Sequence, residues 1–289
     1  MSARKTLFLN GRYLPEEEAT VPVLDRGFLF GDGVYEVIPV FGGHPFRLDQ
    51  HMDRLARSLA EVRIPDPYDR EEWRAVFQRL LEENPGGDRS LYIQVTRGVM
   101  ARRDHAFSEG LSPTVLVMVS PIIPPDPAVL EQGVSAVVLE DHRWSRCDIK
   151  AITLLPNVLA RQQAVEWGAT EAILVRNGQA IEGAASNLFL VVDGVVVTPP
   201  KDRQLLAGIT RDLVLELAGE AGMPVMEAPI PADRLREASE IWLTSSTREI
   251  LPVTRLDGAA VGDGRPGPFW ARMRALYQDY KARLREGGV

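Results

Sequence analysis

Residues 171–200 read EAILVRNGQAIEGAASNLFLVVDGVVVTPP. Asn177-Gly178 and Asp193-Gly194 each separate two runs of apolar and β-branched residues. Both dipeptides tolerate the positive φ that a two-residue hairpin turn requires. Two hairpins in series predict a sheet whose neighbours are mostly antiparallel, and the surrounding sequence extends it. VSAVVLE lies upstream as a strand, and EIWLTSSTREILPVTRLDG lies downstream as two strands around a polar turn. Three helices are interleaved: LLPNVLARQQAVEWG, ending at Gly168; GITRDLVLELAGEAG; and WARMRALYQDYKARLRE, which closes the chain as a surface helix.

The first half has the same character. TLFLNGRY, within residues 5–13, is a hairpin about an Asn-Gly turn, and VYEVIPVFGGHPFRL is another about Gly42-Gly43. LDQHMDRLARSLAEVRI spaces Met52, Leu55, Leu59 and Val62 as an amphipathic helix, a second helix is expected over 70–83, and SLYIQVTRG and TVLVMVS read as strands. SPIIPPDPAVL then places four prolines between 121 and 127, a stretch expected to be neither helix nor central strand. The expected organisation is α+β in two domains: residues 1–120, a linker at 121–130, and a larger barrel-like domain at 131–289.

Composition narrows the function classes. An apolar share of 45% and a charged share of 25% are those of a soluble globular protein. A net charge of −7 offers no basic face for nucleic acid or an anionic membrane. No apolar run approaches the length of a membrane span, and MSARKTLFLNGRYLP has too short an apolar patch for a signal peptide. One cysteine, Cys147, excludes an intramolecular disulfide and a multi-cysteine metal site, and reads as small buried filler in a cytoplasmic protein. His44, His51, His105 and His142 lack metal-ligand spacing, so no metal is expected. His44 and His51 read as surface residues, and His142 and Trp144 are assigned no chemistry.

Of the 33 basic residues only Lys5, Lys150, Lys201 and Lys281 are lysines. Three stand where a solvated charge is expected; Lys150 opens the apolar run in CDIKAITLLPN. A desolvated lysine loses its proton more readily, and its neutral amine attacks carbonyls, most familiarly that of pyridoxal phosphate. A lone lysine is more often one that snorkels its head to water, so the rest of such a site must be sought. A phosphate dianion needs a helix N-terminus and hydroxyl donors. Gly208, Ile209 and Thr210 open a helix, and Thr244, Ser245, Ser246 and Thr247 stand in a row between strands. Arg54 is a candidate guanidinium clamp. A pyridine nitrogen needs a carboxylate to stay protonated, and Glu182 is a candidate.

Together the segments resemble one family, the class IV (fold-type IV) pyridoxal phosphate aminotransferases, and among them the D-amino-acid (D-alanine) enzymes. The resemblance runs through DRGFLFGDGVYEV, HMDRL, YIQVTRGVMARRDHAF, CDIKAITLLPNVLARQQA, IEGAASNLF, LLAGITR and LTSSTREILPV in order. It implies that Lys150 forms the internal aldimine with pyridoxal 5′-phosphate. Glu182 pairs with the pyridine nitrogen, Leu206 packs on the ring, and Tyr35 sits beside the reacting centre. Arg54, the Ile209 and Thr210 amides, Ser246 and Thr247 hold the phosphate. It also implies a homodimer.

The D-specific members carry an Arg-x-His segment after TRG, here Arg103-Asp104-His105. Residues two apart on an extended segment point to one side, so both can donate to a substrate α-carboxylate with Tyr35 as third donor. The VMAR insert before Arg103 is about one residue longer than the family pattern, which keeps Arg102 as an alternative to Arg103. The implied reaction moves an amino group from a D-amino acid such as D-alanine to 2-oxoglutarate or pyruvate. Its rivals within the family are an L-branched-chain aminotransferase and an aminodeoxychorismate lyase.

Overall fold

The computed structural model describes residues 5–288; Met1–Arg4, part of the start weighed above as a leader, lie outside the described residues, as does Val289. The chain divides into two compact units. One runs up to Ile123 and includes Ile149–Thr153 and Leu284–Gly288; the other comprises Pro124–Asp148 and Leu154–Arg283.

In the first unit, β1 (Thr6–Leu9) and β2 (Arg12–Pro15) form the opening hairpin, with Asn10 and Gly11 at φ 48° and 81°. A short helix α1 (Arg26–Phe30) leads into β3 (Gly33–Phe41), which turns into β4 (His44–Pro45). Helices α2 (Leu48–Glu61) and α3 (Arg70–Glu83) follow, then β5 (Arg89–Thr96) and β6 (Thr114–Pro121). The six strands pair antiparallel in the order β2-β1-β6-β5-β3-β4. Val34, Ile38 and Val40 pack with Met52, Leu55 and Leu59 of α2 and with Trp73, Phe77 and Leu80 of α3. Alternation along β3 therefore sends even-numbered side chains to the core and leaves Tyr35 on the opposite face. The helix α1 was not expected from its five residues. Asp25 caps it by accepting from the Gly27 N–H, and Gly31 ends it in the left-handed region.

The second unit opens with α4 (Pro127–Gln132), inside the stretch expected to exclude helix. Asp126 accepts from the Ala128 N–H, and Pro127 occupies the first helical position, where its missing N–H costs nothing. Then come β7 (Val134–Glu140), α5 (Leu155–Glu166), β8 (Glu171–Arg176), β9 (Gln179–Gly183), β10 (Asn187–Val192) and β11 (Val195–Thr198). After α6 (Ile209–Glu220) follow β12 (Val225–Glu227), β13 (Ile230–Pro231), β14 (Glu240–Ser245), β15 (Glu249–Leu256), β16 (Ala259–Ala260) and α7 (Pro268–Arg285). They build a ten-stranded sheet in the order β12-β11-β10-β14-β15-β7-β8-β9-β13, with β16 on β15. The hairpins of residues 171–200 form as read, turning at Asn177-Gly178 and Asp193-Gly194 with positive φ throughout. Most neighbours are antiparallel; β7 pairs parallel with both β8 and β15, and β11 with β12.

The closing helix is amphipathic rather than superficial: Trp270, Met273, Tyr277 and Lys281 form a buried stripe. Lys281, expected in solvent, is buried because its ammonium pairs with Glu249. Among the described residues no helix is long and apolar enough to cross a membrane, and no group of three or more His, Cys, Asp or Glu is placed to hold a metal ion.

Candidate active site

Lys150 lies on a short segment that the first unit claims. Its carbonyl accepts from the Tyr35 N–H at 2.9 Å, the Ile152 N–H donates to Gly33 O at 3.1 Å, and Ala151 bridges Val34. The Lys150 N–H donates to the buried Ser58 hydroxyl of α2 at 3.3 Å. Such an approach needs a bare backbone at residue 33: a Cβ there would lie 2.6 Å from Val95 O and 3.0 Å from Ile152 Cδ1. The half-buried Lys150 carries its Nζ 4.2 Å from the centroid of the Tyr35 ring. The two residues proposed to stand at the reacting centre are thus neighbours, and Tyr35 stacks on Tyr92 at 5.9 Å. Burial, and then Tyr35, push the Tyr92 phenol up to about 12.

On the core face of β3, Glu36 is fully buried among apolar residues, and α2 supplies its partners. Arg54 donates from Nε to Oε2 at 2.9 Å and from Nη2 to Oε1 at 2.6 Å. His51 Nδ1 lies 3.0 Å from Oε1. Burial alone would raise the Glu36 pKa; Arg54, then His51, overcome it and hold the carboxyl well below its ordinary range. The arginine read as a phosphate clamp therefore has part of its fork committed to a carboxylate. His51, expected at the surface, has 0% exposure. Burial lowers its pKa against the pull of Glu36, with Arg54 and Lys150 acting in the same direction as burial. Met52 and Leu55 orient this face of α2 inward, and position 51 follows them.

The Arg-x-His segment lies in the irregular stretch between β5 and β6. The Arg103 guanidinium stands 4.8 Å over the Phe30 ring, and the His105 ring centroid is 5.3 Å from the same ring. Phe30 thus gathers Arg103 and His105; Arg102 is exposed.

In the second unit Glu182 is buried at the end of β9. Its carboxylate accepts from Arg143 Nη1, from Asn187 Nδ2 at 3.0 Å, and from the Leu206 N–H at 3.2 and 3.3 Å. Arg143 also grips Asp141 with Nε at 2.8 Å and Nη2 at 2.9 Å. Burial raises the Glu182 pKa to about 7, against the lowering by Arg143 and the Leu206 N–H. Burial also opposes ionisation of Asp141, but there Arg143 wins and the pKa is lowered. Sequence reading assigned nothing to Asp141, Arg143 or Asn187. The available signal was an arginine closely preceded by two acidic residues in EDHRWSR, just before the candidate lysine.

Ile209 and Thr210 are buried at the first turn of α6, whose N-cap Gly208 offers no side-chain acceptor to the free N–H groups. A Cβ at 208 would fall 1.9 Å from Asn187 Oδ1. Ser246 and Thr247 form the β14–β15 turn, with Ser246 half-buried and Thr247 exposed. The Thr244 and Ser186 hydroxyls are buried with no protein partner. Free helix-end amides and unpaired buried hydroxyls suit a phosphate dianion, and a buried carboxylate titrating near neutrality suits a ring cation. Within the second unit Glu182, Leu206, Ile209, Thr210 and Ser246 are thus of the kinds that pyridoxal phosphate requires; Lys150, Tyr35 and Arg54 belong to the first unit. Cys147 is buried and its thiol donates to Trp144 O, as filler would.

Comparison with known proteins points the same way. Residues 33–256 match the model of the family described as amino-transferase class IV. A D-alanine aminotransferase of Bacillus licheniformis is 42% identical over 275 residues, covering 95% of this chain and 96% of the relative. A branched-chain amino acid aminotransferase of Escherichia coli superposes with a TM-score of 0.90 at 30% identity, covering 96% of this chain and 94% of its own. A T.th. branched-chain amino acid aminotransferase with pyridoxamine 5′-phosphate gives 0.88 at 26%, covering 99% and 96%.

Proposed function

The chain belongs to the class IV aminotransferases, an α+β enzyme of fold type IV, and we propose that it transfers the amino group of D-amino acids such as D-alanine to a 2-oxo acid, 2-oxoglutarate or pyruvate, with pyridoxal phosphate as cofactor. The observation that carries the D-specific reading is the gathering of Arg103 and His105 about the Phe30 ring. A guanidinium and an imidazole two residues apart can both donate to an α-carboxylate, with the Tyr35 hydroxyl as a third donor. The 42% identity to a D-alanine aminotransferase supports the same assignment.

The bound cofactor supplies an aldehyde that captures amines and a ring that accepts electrons from Cα. The chain's own residues do the rest. The Lys150 amine would anchor the aldehyde and, once released, would take the proton from the substrate Cα as general base and deliver it as general acid to the former aldehyde carbon (C4′) of the cofactor. Glu182, its carboxylate fixed by Asn187 and Arg143, would keep a proton on the ring nitrogen. The α6 N–H groups of Ile209 and Thr210, with Ser246, Thr247 and Arg54, would hold the phosphate. Leu206, whose N–H donates to Glu182, would pack on the ring.

The active species is proposed to be a homodimer. Leu155, Val158, Leu159 and Val165 on α5, with Trp167 just beyond its end, leave large apolar side chains exposed, which suits burial against a second copy. A cytoplasmic setting accords with a single cysteine held as a free thiol.

The branched-chain neighbours raise a second reading, an L-branched-chain aminotransferase on the same cofactor residues. A panel of D- and L-amino acids with 2-oxoglutarate, followed by release of the corresponding 2-oxo acid, decides between them. D-alanine should be consumed and L-leucine and L-valine left. Turnover of the L-series alone would refute the D-specific reading. Pyruvate formed from aminodeoxychorismate without an amino acceptor would replace transamination with a lyase.

A further inference from the structure

The Arg103–His105 segment has no regular structure of its own. Residues 97–113 lie outside every helix and strand, and the side chains of 101–106 are all exposed. A carboxylate trap on such a stretch needs its main chain fixed from below. The fixing group is Arg26, the first residue of α1, buried at 3% exposure. Its Nη1 donates to Asp104 O at 2.6 Å and its Nη2 to His105 O at 2.9 Å, with Ala106 O at 3.5 Å from Nη1. Its Nε donates to Asp32 Oδ2 at 2.7 Å.

Asp32 is fixed in turn. Arg97, at the start of the loop, grips it with Nε at 2.8 Å and Nη2 at 2.9 Å and donates to the carbonyls of Val62 and Arg63 at 2.7 and 2.9 Å. Burial opposes ionisation of Asp32, but Arg97 and Arg26 win and lower its pKa, so the carboxylate stays charged between them. Phe107, at the loop's far side, lies 3.7 Å beneath the Arg97 guanidinium. Arg26 also stands 4.9 Å over Phe30, the ring on which Arg103 and His105 rest. One guanidinium thus reaches the loop carbonyls, their anchoring carboxylate and the ring beneath the trap.

We infer that Arg26, held by Asp32, is a positioning residue that sets substrate carboxylate recognition through the Arg103-x-His105 loop. Lysine cannot replace it. An ammonium has three donors about one point, whereas the planar fork sends Nε to Asp32 and both Nη groups to the loop. This inference rests on Arg103 and His105 binding the carboxylate, and the test separates the two claims.

Arg26→Gln, the Arg103→Ala/His105→Ala double variant and the triple variant are compared with wild-type holoenzyme, with Arg26→Lys as a second probe should Arg26→Gln fold poorly. The readouts are KM and kcat for D-alanine and retained pyridoxal phosphate absorbance. Arg26→Gln and Arg26→Lys should raise KM about 10- to 100-fold, with kcat changed far less and cofactor retained, as expected of a group that places another. In the background lacking Arg103 and His105 the same substitution should raise KM no further, because its effect passes through them. An equal rise in both backgrounds, loss of cofactor together with KM, or an unchanged KM in both Arg26 variants would overturn the inference while leaving the trap intact. An unchanged KM in the Arg103→Ala/His105→Ala variant would overturn the trap itself, and the role of Arg26 with it.

Discussion

The proton of Glu182 offers a measurement that needs no substrate. Burial outweighs Arg143 and the Leu206 N–H at this carboxyl, so its pKa is about 7 against an ordinary 4.5. Between those values the folded chain keeps a proton that the unfolded chain has released. Unfolding free energy therefore falls as pH rises through the window, and the loss is complete above the folded pKa. At 1.36 kcal/mol per pH unit, the interval amounts to about 3 kcal/mol. Glu182→Gln keeps the shape and an acceptor for Arg143 or the Leu206 N–H but cannot titrate. Urea unfolding of the cofactor-free proteins at about pH 5 and about pH 8 should show the wild type losing about 3 kcal/mol more than the variant. His51 and every other group common to both proteins cancel in the comparison. Loading with pyridoxal phosphate should shrink the difference, because a ring cation at Glu182 favours the ionised form that burial resists. Parallel pH profiles would mean that Arg143 already keeps the carboxylate ionised at the acid end, and the argument from burial would fail.

Three further outcomes can be checked. Lys150→Ala should lower transamination by at least about 10³-fold and abolish the borohydride-reducible adduct that mass spectrometry would otherwise find on residue 150. Glu36→Leu removes the buried carboxylate that Arg54 and His51 share and should cost about 3–5 kcal/mol in urea unfolding; adding Arg54→Met should recover part of the loss, since it replaces the broken charge pair by an apolar one. Gly208→Ala places a methyl group 1.9 Å from Asn187 Oδ1, so Asn187 must release Glu182 or α6 must shift; pyridoxal phosphate affinity, followed by absorbance, should fall about tenfold or more.

Periodicity made the elements legible, because each hairpin turn and each amphipathic stripe is a local property. The 70–83 helix and the turns at residues 177 and 193 needed nothing beyond their own neighbours. Lys150 stood out by its chemistry and Tyr35 through family resemblance alone, since the motifs around them sit in the chain itself; the structure adds that the two are neighbours. The partners of buried charges were not. Glu36 occupies the apolar row Val34, Ile38, Val40, and that row was a readable signal that a cation must face it. Which cation depends on how α2 rotates onto β3, a tertiary choice, and it brought His51 inward against expectation. Arg143 was harder still, because it lies in an irregular stretch where no period predicts direction. Lys281 and the helix at 127–132 failed for a related reason: each was judged by residue type, whereas Glu249 and the N1 position decided the outcome.

The imbalance between arginine and lysine follows from these networks. Arg26, Arg54, Arg97 and Arg143 are all buried against carboxylates, with Asp32, Glu36, Asp141 and Glu182 as their partners. A strut of this kind must remain charged whatever its surroundings, and it must fix several acceptors in one plane. The guanidinium does both; an ammonium can pair with one carboxylate when buried, as Lys281 does with Glu249, but it gives up its proton more readily and cannot fork to several coplanar acceptors. The property that disqualifies lysine as a strut is the one that transamination requires at residue 150, where the amine must give up a proton, bind a carbonyl carbon and take a proton from Cα. Exchanging the two types should therefore fail in both directions: Lys150→Arg keeps a charge that cannot be lost, and Arg143→Lys keeps a charge that can.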